Sequence, residues 1–500
     1  MKKILISRSG SVKIACSMLL CASGAFAEVR TAAQNSENIL SNNDTIESSI
    51  GQPRLKPEDR LDQLDIENGD LSLRDLREAG LLVFSTPFNK ADGYGDGPHD
   101  PANPENRLPG NRPTLQGNGI FLRINGLDSQ TCLECHTITS NATVPARLGV
   151  GGVGGISQTA IVQPDAIDVA DINNDGIADF NGRLINPPFL FGSGGVELVG
   201  LEMTAELQNL KQFAIDNPGD IVELSSKGVD FGEIVADSAG NIDTSAVEGV
   251  SDDLVVRPFG RKGEFATVRE FDVGAMNFHL GMQATEVVGI GVDGDGDGVV
   301  NEITEGDLSA LSIFNTTMHR PFQSRLRDDE EDGENLFNTI GCSDCHKPQL
   351  DTNTKHLPYK ITGANQQPFE DTFYSVNLTK KPMGFKKNNQ GGIKVKLFSD
   401  LKRHFMGEDL KETFSLATEE QNAEFVTARL WGIADTAPYL HDGRALTLED
   451  AIMMHDNPGS EAAFAGQNFK ALTADDQLNI IKFLNTLRTP KNPNSDVVKD

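Results

Sequence analysis

Two five-residue segments place cysteine and histidine at a spacing that points to one kind of chemistry. They are Cys132-Leu-Glu-Cys135-His136 and Cys342-Ser-Asp-Cys345-His346. Two cysteines three positions apart lie on one helical turn, where both can reach the vinyl groups of a haem. The histidine that follows at once can bind the iron as its proximal ligand. The two segments therefore predict two covalently bound haem c groups.

Paired cysteines also occur in disulfides, in thioredoxin-like redox pairs and in zinc sites. These alternatives account for the cysteines but not for the histidine that follows each pair. The chain has 6 cysteines, and two of them, Cys16 and Cys21, lie in an N-terminal segment that resembles a signal peptide. Its removal leaves only the cysteines of the two motifs, so no thiol remains for a disulfide. The fold must then depend on its buried core, the haems and any bound metal ions.

The first residues of the chain, 1–27, have the pattern of a secretory signal peptide. Cations precede an apolar run from Ile14 to Phe26, which ends in Ala25-Phe26-Ala27 and predicts cleavage after Ala27. The run is shorter than the roughly 20 apolar residues that a membrane-spanning helix needs. We therefore expect an exported, periplasmic protein with no stable membrane anchor.

Charge narrows the range of partners. The chain has 44 lysines and arginines against 73 acids, a formal net charge of −29, which disfavours nucleic acid and anionic membranes as partners. An excess of acids is typical of a soluble exported protein, and it would also steer a small basic electron carrier. The protein partner that we expect is a small electron-donor cytochrome or cupredoxin.

A helix followed by a haem motif occurs twice along the chain. The first predicted helix, Leu73 to Phe84, contains Gly80-x-x-x-Phe84, and the second, Glu330 to Ile340, contains Gly333-x-x-x-Phe337. Each half of the chain is predicted to end in a further helix, Glu305 to Phe314 in the first half and Ala474 to Leu487 in the second. For the last of these, Thr473 with Asp476 predicts the N-cap. Its predicted buried stripe consists of Leu478, Ile481, Leu484 and Leu487.

The repeated order predicts a mainly α fold with two cytochrome c-type haem domains. We predict a poorly ordered extension at 28–70, an N-terminal haem domain at 71–320 and a C-terminal cytochrome c domain at 321–500. Irregular and small β insertions are expected in the N-terminal domain. They include the glycine-rich segment 191–195 and a β-hairpin within 228–250.

Two acidic loops resemble calcium-binding loops, because they offer oxygen ligands at positions 1, 3, 5 and 9 and a glycine at position 6. The residues of the first loop are Asp171, Asn173, Asp175 and Asp179, and those of the second are Asp293, Asp295, Asp297 and Asn301. Neither loop has a carboxylate at position 12, where Gly182 and Thr304 stand. The alternative is a solvated Asp/Gly turn. Bound calcium would have a structural role.

The residue on the open side of each haem decides whether the haem stores electrons or performs chemistry. For the second haem, Thr447 caps a short predicted helix on which Leu448, Ile452 and His455 share one face. That face can bring His455 to the iron. From spacing alone, His455 could equally be a surface or core residue.

Several segments resemble the bacterial di-haem cytochrome c peroxidase superfamily. The residues from Ala437-Pro-Tyr439 through His441-Asp-Gly443 to Thr447-Leu-Glu449 are similar to a motif shared across that superfamily. Other segments resemble its di-haem oxidoreductase branch, to which the rubber oxygenases are distantly similar: Phe259-Gly-Arg-Lys262, Phe271-Asp-Val-Gly-Ala275, Asp400-Leu-Lys-Arg-His404-Phe-Met406-Gly407 and Leu430-Trp431-Gly432. The resemblance covers roughly Leu73 to Leu487.

The resemblance implies roles for several residues. In the oxidoreductase branch a histidine stands at the position of His455, which implies a second haem held by His346 and His455. Over the first haem, His279 replaces the family's glutamate. His279 could act as a general acid and base toward peroxide or could bind the iron, and Met282 is a further candidate ligand. For His404 and His441 we expect structural roles. Trp431, the only tryptophan, lies in the C-terminal motif, and no tryptophan is evident between the haems.

We therefore expect an exported di-haem oxidoreductase that is peroxidase-like. In this hypothesis the C-terminal haem passes electrons to a reactive N-terminal haem, where peroxide or another small oxidant reacts. Two other classes of function stay open. One is a non-catalytic electron-transfer cytochrome with both irons six-coordinate, and the other is an oxygenase that acts on an organic substrate.

Overall fold

The computed structural model describes residues 52–95, 129–142, 161–167, 180–361, 366–412 and 418–498. The predicted signal peptide, the start of the predicted extension and the loop with Asp171, Asn173, Asp175 and Asp179 lie outside the described residues. Contacts group Gly51–Asn494 into one unit. The predicted boundary between residues 320 and 321 stays a prediction.

Helices predominate over strands in the described part of the chain. The α-helices are α1 (Gln63–Glu67), α2 (Leu73–Ser85), α3 (Ser193–Asp216), α4 (Val268–Ala275), α5 (Thr285–Val288), α6 (Glu305–Thr316), α7 (Asp328–Thr339), α8 (Cys342–Cys345), α9 (Glu419–Ala423), α10 (Leu448–Met453), α11 (Ala463–Ala471) and α12 (Ala474–Leu484). A π-helix, Met276–Leu280, continues α4. Short 3-10 helices lie at Pro57–Asp59, Lys90–Asp92, Cys132–Glu134 and Ile433–Asp435. None of the described helices has both the length and the apolar character needed to cross a bilayer.

The strands are short and form small antiparallel sheets. They are β1 (Ile161–Ile167), β2 (Phe180–Ile185), β3 (Ile221–Ser226), β4 (Val229–Ala236), β5 (Ile242–Asp243), β6 (Phe322–Gln323), β7 (Leu350–Asp351), β8 (His356–Tyr359), β9 (Tyr374–Asn377), β10 (Lys386–Lys387), β11 (Ile393–Val395), β12 (Arg403–Phe405), β13 (Glu424–Val426) and β14 (Leu487–Arg488). Two sheets have three strands, in the orders β3-β4-β5 and β10-β11-β7. The others pair β1 with β2, β12 with β13, β14 with β6 and β8 with β9.

The repeated Gly-x-x-x-Phe pattern marks two close helix crossings. A Cβ atom on Gly80 of α2 would collide with the carbonyl of Ala310 on α6. On α7, a Cβ atom on Gly333 would collide in the same way with the carbonyl of Asn479 on α12. The glycines therefore let each pair of helices pack backbone to backbone, and Phe84 then contacts Phe314 with ring centroids 5.5 Å apart. The four predicted helices are present.

Helix α12 corrects part of the prediction for the last helix. Thr473 caps it as expected, because its hydroxyl accepts the N–H of Asp476 at 3.2 Å. The helix ends at Leu484, however, and Leu487 belongs to β14. Leu478 is 50% exposed, so its place in the buried stripe was wrong. Ile480, Phe483 and Leu484 are the buried residues of the helix, which therefore faces the core at a different angle.

The N-terminal part of the chain, for which irregular insertions were predicted, contains a 24-residue helix, α3. Its first half is buried nearly all round, so it lacks the one-sided apolar stripe that marks a surface helix. Gly194 and Gly195 permit close contact with Thr316 and Phe385. The predicted β-hairpin is present as β4 and β5, whose turn is held by Asp237, and β3 extends it to three strands.

Candidate functional site

The second cysteine motif forms α8, directly after α7. Gly341 turns the chain between the two helices with a φ of 102°. The Nδ1 atom of His346 lies 3.1 Å from the backbone oxygen of Phe398. Because a carbonyl oxygen can only accept, Nδ1 carries the proton, and Nε2 is left to bind a metal.

His455 faces His346 across a gap of the size that a metal needs. Thr447 caps α10 through the N–H of Asp450, and His455 follows the end of that helix. Its Nδ1 lies 2.8 Å from the carbonyl of Ala451. The ring centroids of the two histidines are 6.4 Å apart. Two imidazoles on opposite sides of one iron, each with a nitrogen about 2 Å from the metal, would have centroids about 6 Å apart. The residues present therefore fit a haem iron.

Burial keeps both imidazoles neutral, as metal ligands must be. Burial, with a smaller effect of His455, lowers the pKa of His346 to about 4. Burial also lowers the pKa of His455. The sequence analysis predicted that His346 and His455 hold one haem, and the structure places the two side chains next to each other.

The first motif lies at the end of α2. Thr131 caps the 3-10 helix Cys132–Glu134, and its hydroxyl donates to the carbonyl of Phe84 at 2.9 Å. The Nδ1 atom of His136 lies 2.8 Å from the carbonyl oxygen of Pro188. His136 is therefore oriented in the same way as His346, with Nε2 left to bind a metal. None of the four motif cysteines forms a disulfide within the described residues, as attachment to haem vinyl groups requires.

His279 lies on the π-helix near this motif. Burial, with a smaller effect of His279, lowers the pKa of His136 to about 4. That influence indicates that the two histidines lie in the same region of the fold. A π-helix is rare and is often found at functional sites. Met282, the other predicted candidate, is fully buried two residues beyond the helix end.

Two buried acids, of which Asp272 lies near the first motif, were missed in the sequence. Asp272 on α4 accepts hydrogen bonds from Ser312 at 2.8 Å and Asn315 at 2.9 Å. Burial raises its pKa to about 7, and its charge contributes to the raised pKa of Cys132. Glu197 on α3 accepts the N–H of Val268, and burial raises its pKa to about 8. For Asp272, the available signal in the sequence was an aspartate among apolar residues at 271–275. Glu197 lies on α3, a helix that the sequence analysis did not predict.

The acidic loop before α6 gathers three carboxylates. Asp293, Asp295 and Asp297 each offer an oxygen atom, and these atoms lie within 4.8 Å of one another. Glu302 was not predicted to take part, but it is only 2% exposed. Burial raises its pKa to about 9, and the three aspartates add to the shift. Asn301, a predicted ligand, accepts the N–H of Gly291 through its side chain at 2.7 Å.

His404 and His441 have structural surroundings. The Nε2 of His404 lies 2.9 Å from Asp400, and its Nδ1 lies 2.7 Å from Glu461. Burial lowers the pKa of His404, but hydrogen bonds to Asp400, Cys345 and Glu461 outweigh burial and raise it to about 12. His441 stacks on Phe425 with ring centroids 4.4 Å apart.

A short segment of backbone connects the surroundings of the two motifs. The backbone of Ala428 lies close enough to His346 to raise the pKa of its imidazole slightly. Four residues later, a Cβ atom on Gly432 would lie 3.0 Å from the ring of Phe189. Phe189 is adjacent to Pro188, whose carbonyl orients His136. Residues 428–432 therefore run from one proximal histidine toward the acceptor of the other.

Comparison with known proteins adds one family. Residues 272–487 match the family model described as "Di-haem oxidoreductase, putative peroxidase". No protein of curated function matches the chain.

Two solved structures are similar at low identity. One is a hydrazine synthase of Kuenenia stuttgartiensis pressurized with 20 bar xenon, 17% identical over 36% of this chain and 55% of that chain, with a TM-score of 0.20. The other is a MauG-like protein associated with microbial copper homeostasis, 17% identical over 60% of this chain and 90% of that chain, with a TM-score of 0.26. The chain thus spans about half the length of the hydrazine synthase chain.

Proposed function

We propose that this chain, whose residues 272–487 match the di-haem oxidoreductase family model, is an exported, peroxidase-like enzyme with two covalently bound haem c groups. Cys132 and Cys135 hold one haem, with His136 as its proximal ligand. Cys342 and Cys345 hold the other. The observation that carries the proposal is the opposed pair of rings, His346 and His455, 6.4 Å apart. If both imidazoles bind the iron of that haem, an oxidant would have no free position there and would react at the first site.

Haem iron supplies one-electron chemistry and, at an open position, a place for a small oxidant. The protein contributes by fixing the imidazoles that hold each iron. In all three predicted iron ligands Nδ1 lies within hydrogen-bond distance of a backbone carbonyl. Such bonds hold the ring orientation and increase the basicity of Nε2.

His279 is the residue that we propose for proton transfer at the first site. A neutral imidazole can take a proton from peroxide and return it to the departing oxygen. Asp272 and Glu197, with pKa values raised by burial to about 7 and about 8, can hold protons nearby at neutral pH. This supply of protons supports chemistry rather than electron storage alone at the first site.

We propose that electrons pass from the His346/His455 site to the first site. The segment 428–432 supports transfer between the two sites, since it runs between the surroundings of the two proximal histidines. A small cytochrome or cupredoxin in the periplasm would supply the electrons, and peroxide or another small oxidant would receive them.

We also propose that the loop with Asp293, Asp295 and Asp297 binds calcium. Three carboxylates in one place repel one another, and a bound cation relieves that repulsion. The three aspartates also contribute to the raised pKa of the buried Glu302, so a cation in the loop would favour ionisation of Glu302. The role of the ion would be structural.

Spectroscopy of the holoprotein tests the proposed reaction. EPR and optical spectra are recorded for the oxidised and half-reduced protein, before and after peroxide or carbon monoxide is added. We expect one low-spin haem that binds neither peroxide nor carbon monoxide, and one haem that binds both. We further expect turnover of peroxide with a reduced cytochrome, which His279→Ala slows roughly 100-fold or more while ligand access stays open.

The exposed histidine of β8 provides the matched control, and His356→Ala should leave turnover unchanged. If both irons stay low-spin and neither ligand binds, the protein is a non-catalytic electron carrier and the proposal fails. If the first haem binds carbon monoxide but does not consume peroxide, the peroxidase proposal gives way to that of an oxygenase acting on an organic substrate.

A further inference from the structure

A strongly basic stretch interrupts this acidic chain. Between residues 380 and 396 there are lysines but no aspartate or glutamate, although the formal net charge of the whole chain is −29. The lysines are Lys380, Lys381, Lys386, Lys387, Lys394 and Lys396. Such a concentration of one sign creates a local field opposite to that of the rest of the molecule.

The sheet brings three of these lysines onto one face. Lys386 on β10 pairs directly with Lys394 on β11, and Lys396 lies two residues further along the same strand direction. Like charges directly opposite each other destabilise a sheet, and residues two apart share a face. Asp351 on β7 pairs with Lys394 on its other side, but its carboxylate accepts a hydrogen bond from Gln349 at 2.6 Å.

These lysines and Arg320 surround a cavity of about 170 Å³. Within the described ranges, none of the four cations lies in a salt bridge with an acid. Phe385 and Trp431 form an apolar wall, with ring centroids 6.3 Å apart. The cavity is smaller than the roughly 300–1,000 Å³ of sites for drug-sized ligands, so its ligand must be small.

Trp431 adds an aromatic side chain to the lining of the cavity, although only 4% of the residue is exposed. The lysines would neutralise a negative charge on a molecule that packs against this ring.

We propose that this cavity binds a small aromatic carboxylate. Its ring contacts Phe385 and Trp431, and its charge pairs with Lys386, Lys394 and Lys396. No residue that we assign to haem attachment, iron binding or proton transfer lines the cavity. The site therefore does not depend on the proposed peroxidase function.

Calorimetric titration of the holoprotein with benzoate at low ionic strength tests the site. The chain has one tryptophan, so reduced protein with ¹⁵N-labelled tryptophan gives a single indole cross-peak that reports on the same cavity. We expect saturable binding of benzoate, a matching shift of the cross-peak, and no binding of the neutral isostere benzamide.

Two sets of variants locate the site. Lys386→Gln combined with Lys394→Gln should weaken benzoate binding about tenfold or more, because each cation lost costs attraction in a partly enclosed cavity. Lys387→Gln is the matched control, since Lys387 is on the same strand but faces the other way. Its affinity should stay within about twofold.

Several results would overturn the proposal. They are the absence of benzoate binding, equal binding of benzamide, and equal loss in the Lys387→Gln control. Binding of polyglutamate without binding of benzoate would also overturn it, in favour of a docking surface for an acidic protein. Each readout is a binding measurement, so an absence of peroxidase turnover would leave the proposed carboxylate site unaffected.

Discussion

The proximal histidines of the two motifs are oriented by the same device. His136 and His346 each place Nδ1 against a backbone carbonyl that comes 52 residues later, from Pro188 and Phe398 respectively. The cysteine spacing identified both histidines. Their acceptors were invisible in the sequence, because any residue can supply a carbonyl and only the fold selects which one comes close.

His455→Met tests the proposed second ligand of the C-terminal haem. A thioether ligand favours reduced iron more than imidazole does, so the midpoint potential of this haem should rise by on the order of 100 mV. Potentiometric titration followed in the visible bands of the second haem measures the change. His356→Met, on an exposed histidine, should leave the potential unchanged. An unchanged potential in His455→Met would remove this residue from the coordination sphere.

His404→Gln tests the ion pairs with Asp400 and Glu461. The folded-state pKa of His404, about 12, lies above its ordinary value of 6.5. Its contribution to stability is therefore complete below pH 6.5 and declines as the pH rises toward 12. We expect a loss of about 2–3 kcal/mol at pH 6 and a loss smaller by about 1–2 kcal/mol at pH 9.

Urea unfolding followed by circular dichroism at both pH values measures this difference. Glu461 does not disturb the comparison, because its lowered pKa removes stability only as the pH falls below about 4.5. A loss that is the same at pH 6 and pH 9 would mean that His404 is neutral in the folded protein.

At the scale of the elements, helices with polar N-caps were predictable. α2 and α6 follow the N-cap residues Ser72 and Thr304, each in a reciprocal capping box. α3 escaped prediction because it has no side-chain cap and begins in glycines, while burial on nearly all sides of its first half removes the periodic pattern. The π-helix that carries His279 was equally hidden, since no local residue pattern distinguishes it from the end of α4.

Gly281→Ala tests the turn that ends the π-helix. Gly281 has a φ of 74°, and a Cβ atom there would lie 2.5 Å from the backbone of Gly95. We expect a loss of about 2–4 kcal/mol of unfolding free energy, together with a changed spectrum of the first haem only. Gly228→Ala is the control, because its φ is 78° with no neighbour within 4 Å. It should cost only about 1 kcal/mol. Equal losses in the two variants would show that the contact with Gly95 is unimportant.

For the whole molecule, composition gave the sign of the charge but not its distribution. The net charge of −29 indicates an acidic surface. Yet the register of β10 and β11 concentrates lysines beside Trp431, and the loop before α6 concentrates carboxylates. The lysine run is visible in the sequence. Which lysines share a face depends on strand pairing, which local sequence does not determine.

Removal of calcium should lower the stability of the whole chain. At a free concentration 100 times its dissociation constant, a bound ion adds about 2.7 kcal/mol to the unfolding free energy, which chelation with EDTA should remove. Calorimetric scans with and without EDTA measure the shift in Tm. Glu302→Gln should reduce the shift, whereas Glu305→Gln, at the start of α6, should not. No effect of EDTA on the unmodified protein would contradict the proposal.

The strand-end loop that orients His136 has a consequence for how the protein matures. Asn186, two residues before Pro188, donates through its side chain to the carbonyls of Pro438 and Leu440, and its N–H donates to the carbonyl of His441. The chain emerges from synthesis with Cys132 and Cys135 long before residue 441 exists. Although its cysteines are made first, the first motif cannot hold its histidine in the final orientation until the C-terminal half has folded. The motif that comes first in the sequence is therefore completed only together with the C-terminal half of the chain.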